Sequence, residues 1–224
     1  MATDFLEQMA ASSRQRADAA KRACGEADLL ARALASPQPP PLRRDPAGFD
    51  LIAEMKLRSP AVGQLKTGDE DVGARVTAYA RAGAAGVLVI LRMLPRDELD
   101  ALIRQAGNLG LFVLLEAFDE HDIELMHDIV EDHSTVELLA GVNCRDLATL
   151  QVVPRRLDEL AHLLPTQVPR VAESGVATAD DARRVASVGY ELALVGSALM
   201  QGGDPGALAA AMLSAGRAAR SKAA

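Results

Sequence analysis

The stretch LIAEMKLRSPAVG, residues 51–63, joins a short apolar run to a carboxylate, a lone lysine and a Ser-Pro turn. Leu51, Ile52, Ala53 and Met55 read as a buried strand bounded by turn chemistry, which puts Glu54 and Lys56 where burial makes charge costly. Alternate side chains of a strand share a face, so these two point the same way, with Lys56 one step nearer the C-terminal end. A strand-end ion pair that solubilises a rim is the plain reading. The rest of the chain decides between that and chemistry.

Downstream, a glycine-bearing loop (VGQLKTGDEDV) leads to a helix near Val72 to Ala82 and then to a continuous apolar run from Gly86 to Leu91. The pattern repeats. Helix LPRDELDALIRQAGNLG precedes strand LFVLLEAF, helix DEHDIELMHDIVEDH precedes ELLAGVNCRDL, helix PRRLDELAHLL precedes VPRVAESGV, and TADDARRVASVG precedes YELALVGSALM. Strands apolar on both faces, alternating with helices of about 10 to 15 residues, mean a parallel sheet covered by helices, an α/β protein.

Upstream, residues 4–35 are rich in Ala, Arg, Leu and Glu and lack Pro, which suits one or two amphipathic helices. PQPPPLRRDP cannot continue a helix and works as an extended connector. The chain therefore divides into a helical arm with its connector, 1–48, and a single α/β domain, 49–224.

Composition narrows the function classes. A net charge of −7 argues against a nucleic-acid groove. Cys24 and Cys144 lie far apart, outside any CxxC pair, so no disulfide framework or zinc site is expected. His121, His127, His133 and His162 fall in polar, helical surroundings and read as surface side chains. No apolar run approaches the roughly 18 residues that span a bilayer, and the N-terminus lacks a signal-peptide core, so a cytoplasmic protein is expected.

Polar residues gather at one place in each unit, just after the apolar run: Glu54 and Lys56, Arg92, Glu116, Asn143 and Arg145, Glu173 and Ser174, Gly196 and Ser197. In parallel α/β folds these positions lie at the C-terminal edge of the sheet, where loops converge and ligands bind. Ser174, Thr178 and Ser197 could each be a helix cap, but six strands aiming chemistry at one face is hard to grant to coincidence. AESGV and LVGSALM, separated by a helix, let backbone N–H groups approach an anion and together suggest a phosphate site.

IAEMKLRSP, GVNCRDL, VAESGVATADDARR and ALVGSALM together resemble indole-3-glycerol phosphate synthases, the phosphate-binding (β/α)8 barrels of tryptophan biosynthesis, whose N-terminal extension the helical arm resembles. The resemblance implies a carboxy-lyase without metal or organic cofactor. It would close the ring of 1-(2-carboxyphenylamino)-1-deoxyribulose 5-phosphate with loss of carbon dioxide and water. By motif, Glu54 and Lys56 match the first-strand catalytic pair and Ser59 the serine beside the aryl carboxylate. Glu116 matches a general-base glutamate, and Asn143 and Arg145 the polar pair that steers the anthranilate portion. Glu173 matches the seventh-strand glutamate, and Ser174, Gly175, Gly196 and Ser197 the phosphate cradle.

The family pattern has eight strands, and six are placed here. About 30 residues separate the first strand from GVLVIL, room for one loop and one helix only. The family's second and third units are missing, and with them the Lys-Asp-Phe motif of its third strand, whose lysine acts as general acid. Of the four lysines, Lys21, Lys56, Lys66 and Lys222, only Lys66 lies in a loop able to swing over the site. The expectation is a TIM-barrel-like parallel βα barrel of six units with an N-terminal helical extension. Its gap would be covered by a second copy in a homodimer, by the arm, or by re-closure on six strands. Two other readings stay open: a diverged lyase or cyclase on another phosphorylated substrate, and a non-catalytic binder of a phosphorylated ligand.

Overall fold

The computed structural model describes residues 41–46, 48–54, 58–59, 63–64, 86–108, 110–200 and 204–221, with scattered residues between 11 and 35, and describes 58–59 and 63–64 by backbone alone. The helix expected over 72–82, Cys24, Lys56, Lys66 and the side chain of Ser59 lie outside the described residues. Apart from Gly25, the described residues between 11 and 31 are helical, and all are exposed.

Six strands form one parallel sheet: β1 (Asp50–Ala53), β4 (Gly86–Ile90), β5 (Phe112–Ala117), β6 (Leu138–Asn143), β7 (Arg170–Glu173) and β8 (Leu192–Val195), in the order β1-β8-β7-β6-β5-β4. Two-residue strands β2 (Arg58–Ser59) and β3 (Gly63–Gln64) pair separately as an antiparallel ribbon. The helices are α1 (Arg96–Asn108), α2 (Glu120–Asp132), α3 (Arg155–Leu160), α4 (Ala179–Ser187), α5 (Ser197–Met200) and α6 (Pro205–Arg220). Among the described residues no helix is long and apolar enough to cross a membrane.

This order is that of a TIM barrel with two neighbouring units removed. The first strand lies beside the last, and β4 stands at the opposite edge. Among the described residues these two edges do not pair with each other, so the sheet is a curled half-barrel and not a barrel re-closed on six strands. The inner face already packs Phe112, Leu114, Leu139, Val171 and Leu192 together, with Ile52, Leu194 and the connector's Leu42 against them. Closing on fewer strands narrows the interior, and this filling opposes it.

Alternation explains both faces. Val113, Leu115 and Ala117 point outward into the helices while Phe112, Leu114 and Glu116 point inward, and all six residues of β5 are buried. Helix starts follow local chemistry. Asp119 caps α2 by accepting from the Asp122 N–H at 3.1 Å, and Asp204 caps α6 with Pro205 in its first turn. Thr178 is a cap, as one of its readings had it, sharing a capping box with Asp181 at the start of α4.

Edge strand β1 is anchored from behind. Arg217 on α6 donates to the Phe49 carbonyl at 3.0 Å and to Asp50 at 2.8 Å. Phe49 is fully buried against Gly216, where a Cβ would overlap its ring. Gly216→Ala is therefore expected to cost about 1–3 kcal/mol of stability by overpacking, read as a lower urea midpoint. An unchanged midpoint would mean α6 shifts freely over β1.

The histidine reading needs one correction. His133 is 7% exposed, with Nε2 2.8 Å from Asp100 Oδ1, which also accepts from Arg96 Nε at 3.0 Å. The end of α2 packs against α1, a pairing that a polar helical context does not reveal. His127 is partly buried beside the Leu163 carbonyl, while His121 and His162 are exposed. The hydrogen bond with His133 and the Arg96 guanidinium hold the Asp100 carboxyl below its ordinary value against the opposing effect of burial. A carboxyl depressed on folding adds stability above its unfolded pKa of about 3.9, and that stability is lost as pH falls through the folded value. Urea midpoints of the wild type and Asp100→Asn should differ at pH 7 and converge toward pH 3. A gap that persists in acid would contradict this.

Candidate active site

Register brings the expected rim residues to one face. Glu116 on β5 stands opposite Gly141, and Asn143, two residues further along β6, stands opposite Glu173 on β7. In a parallel ladder these positions share the inner face. Glu116 and Glu173 are 4% and 2% exposed. Asn143 Nδ2 donates to Glu116 Oε1, and Asn143 Oδ1 accepts the backbone N–H of Arg145 at 2.9 Å. That backbone donor fixes which end of the amide faces Glu116. Gly141 leaves room for its neighbour, since a Cβ there would overlap Glu173 Oε1.

Glu54 extends the same face by one strand. It lies one residue past β1, half-buried, and its N–H donates to the Val195 carbonyl at 2.9 Å, continuing the ladder. Gly196 completes the approach, because a Cβ there would come within 2.8 Å of Glu54 Oε2. Gly196 and Ser197 pass directly from β8 into α5.

The turn after β7 is strained. Ser174 and Gly175 both adopt left-handed backbone, at φ 63° and 67°. A Cβ at Gly175 would also press on Val152 Cγ1 at 2.9 Å and Cys144 Sγ at 3.0 Å, so glycine is required there twice over. Ser174 is not glycine, and a non-glycine residue held in this region costs about 1–2 kcal/mol. Burial pushes the neighbouring Cys144 thiol up, away from reactivity.

Two expected residues behave differently from a charge aimed into the mouth. Arg145 reaches Asn143 through its backbone, while its guanidinium donates to the Leu150 carbonyl at 2.8 Å within its own loop. Arg92 turns toward α2, donating to Asp122 and to Asp119 and lying over the Phe118 ring at 5.0 Å. Burial lowers its affinity for a proton, yet the Asp122 and Asp119 carboxylates outweigh that and hold it above its ordinary value. The sequence reading missed this network, although Asp119 at a helix start and Asp122 one turn on were visible signals. Among the described residues, no group of three or more His, Cys, Asp or Glu could hold a metal ion.

A parallel βα sheet in barrel order, with its polar layer on the C-terminal edge, defines the class as a βα-barrel protein whose working face is the strand-end rim. The family model for indole-3-glycerol phosphate synthase matches residues 73–212, and the chain belongs to that family. It is 34% identical over 243 residues to the indole-3-glycerol phosphate synthase of Nocardioides sp., covering 85% of this chain and 91% of that one. It is 30% identical over 255 residues to the protein of that name from Mycobacterium avium, covering 90% and 91%. The match to the Opitutus terrae protein, at 36% identity, spans 72% of this chain but 58% of the relative. The first two alignments are longer than the 224 residues of this chain, so those relatives carry residues with no counterpart here.

Ser174→Gly should remove the left-handed strain and raise the urea midpoint, by about 0.5–1 kcal/mol after the entropy cost of glycine. A lowered midpoint would mean that the serine side chain stabilises the turn more than its backbone strains it.

Proposed function

We propose that this chain closes the indole ring of 1-(2-carboxyphenylamino)-1-deoxyribulose 5-phosphate in the cytoplasm. The arene carbon bearing the carboxylate joins the ketone carbon and closes the five-membered ring, carbon dioxide leaves, and loss of the former ketone oxygen as water forms the indole double bond. The observation that carries this reading is the pair of buried carboxylates, Glu116 and Glu173, with half-buried Asn143 beside them on the inner face. A phosphate binder needs only the glycine turns, whereas burying two carboxylates is costly.

In this reading Lys56, beside Glu54 in sequence, supplies the proton to the ketone oxygen, a role resting on its motif. Glu116, oriented by Asn143, is the general base, and Glu173 assists the dehydration. The strained Ser174–Gly175 turn, with Gly196 and Ser197 where the neighbouring β8 passes into α5, cradles the phosphate. Ser59 and the loop of Arg145 steer the aryl carboxylate. Arg92 does not replace the missing third-strand lysine, because a guanidinium anchored to two aspartates is a poor proton donor. In this reading the domain of residues 49–224 carries the site, and the arm with its connector is residues 1–48.

The absence of the Lys-Asp-Phe motif favours a second reading, in which the same rim serves a different phosphorylated substrate or binds one without turnover. Product fluorescence separates the two directly, since the chain has no tryptophan to mask an indole. Wild type should turn the substrate over, and Lys56→Ala and Glu116→Gln should each lose about 10²–10⁴-fold in kcat. Substrate bound without turnover by the wild type would overturn ring closure and leave the second reading.

A further inference from the structure

We propose that Arg92 is a positioning residue for Glu116, clamping the open edge strand β4 to the end of β5 through Asp122. Its effect on turnover rests on the ring-closure reading, and its effect on Glu116 rests on geometry alone. Ile90, the last residue of β4, stands opposite Glu116. Two residues further along come Arg92, in the single turn Leu91–Met93, and Phe118, just past the end of β5. Among the described residues β4 has β5 as its one neighbour, so the sheet supports its end from one side.

A single carboxylate joins the two strand ends. Asp122 Oδ2 accepts the Phe118 N–H at 2.8 Å and Arg92 Nε at 3.0 Å, and Arg92 Nη2 donates to it as well. Nη2 also donates to Asp119, the cap of α2, at 2.7 Å. The guanidinium lies 5.0 Å from the centre of the Phe118 ring, which is buried. The path from β4 to Glu116 therefore runs through Arg92, Asp122 and the backbone two residues beyond the carboxylate. On the other flank, Asn143 donates to Glu116 Oε1. Glu116 is thus steadied twice, by its side chain toward β6 and by its backbone toward β4.

A plain staple between two elements would not need this chemistry. Asp122 is 3% exposed, and a buried ion pair is often no more stabilising than apolar side chains of the same volume. What the pair adds is direction, because a planar guanidinium bonding through two nitrogens fixes orientation as well as distance. The segment it orients ends β5, where a general base misplaced by about 1 Å loses about 10²-fold in rate.

Asn143 reports on the clamp directly, because the chain has two asparagines, Asn108 and Asn143. With asparagine alone isotope-labelled, the NMR spectrum of the full chain holds two side-chain amides, and Asn108→Ser assigns them. Circular dichroism checks each variant's fold. Arg92→Lys, which keeps the charge but lacks the fork, and Asp122→Ala should each move the Asn143 amide proton upfield as its bond to Glu116 loosens. The double variant should move it no further than either alone, since the pair acts as one unit. Arg92→Ala should behave likewise and recover on addition of guanidinium ion, which should not rescue Asp122→Ala. Gly216→Ala, which strains the sheet at its opposite edge, should leave the signal in place. In turnover, Arg92→Lys should lower kcat about 10- to 100-fold with KM changed less than about twofold. An Asn143 signal unmoved by Arg92→Lys and Asp122→Ala overturns the proposal, as does an equal movement in Gly216→Ala. A wild type that turns nothing over removes the ring-closure reading, and the Asn143 signal then decides the positioning role by itself.

Discussion

A parallel ladder places side chains by register alone, and a slip of one residue sends each to the opposite face. The rim here rests on the register across β5, β6 and β7. Glu116 falls opposite Gly141 and Asn143 opposite Glu173, so two carboxylates and an amide share the inner face. The same alternation sends Val113, Leu115, Ala140 and Val142 into the helical layer. Shifting the pairing would bury the carboxylates among apolar side chains, so the core that stabilises the sheet also enforces the site. Gly141 and Gly196 complete the arrangement by subtraction, leaving the volumes that Glu173 and Glu54 approach.

The open sheet follows from the same ordering. With the second and third units of the family missing, β1 keeps β8 and β4 keeps β5, and among the described residues each has one neighbour. An edge strand loses half its ladder, and β1 regains anchorage through Phe49 seated on Gly216 and Arg217 fastened to Asp50. β4 is the more open edge, with Leu88 of its inner face 43% exposed. Neither edge disturbs the three strands that hold the buried carboxylates and the amide, since these lie in the interior of the sheet.

Much of this was legible in the sequence because parallel α/β chains announce themselves by apolar runs and intervening helices. The strand ends at Glu116, Asn143 and Glu173 were recognisable as polar residues closing apolar runs, and the short spacing between the first strand and GVLVIL exposed the missing units. What was hidden depends on contacts between distant segments. His133 gave no sign of its pairing with Asp100, which lies one strand and two helices' packing away. Arg92 and Arg145 read as charges facing the mouth, yet one is drawn to the start of α2 and the other gives its backbone to Asn143. The left-handed Ser174 was equally invisible, since serine carries no signal for that conformation.

The central claim is that the shortened sheet still presents a complete ligand site on its C-terminal rim. Calorimetric titration with an unreactive analogue, the substrate with its ketone reduced to an alcohol, tests it most directly. One molecule should bind per chain, with affinity reduced at least tenfold both by Asn143→Ala and by Gly196→Val, which drives a side chain into Glu54. Absence of binding, or equal affinity in wild type and both variants, would contradict the account.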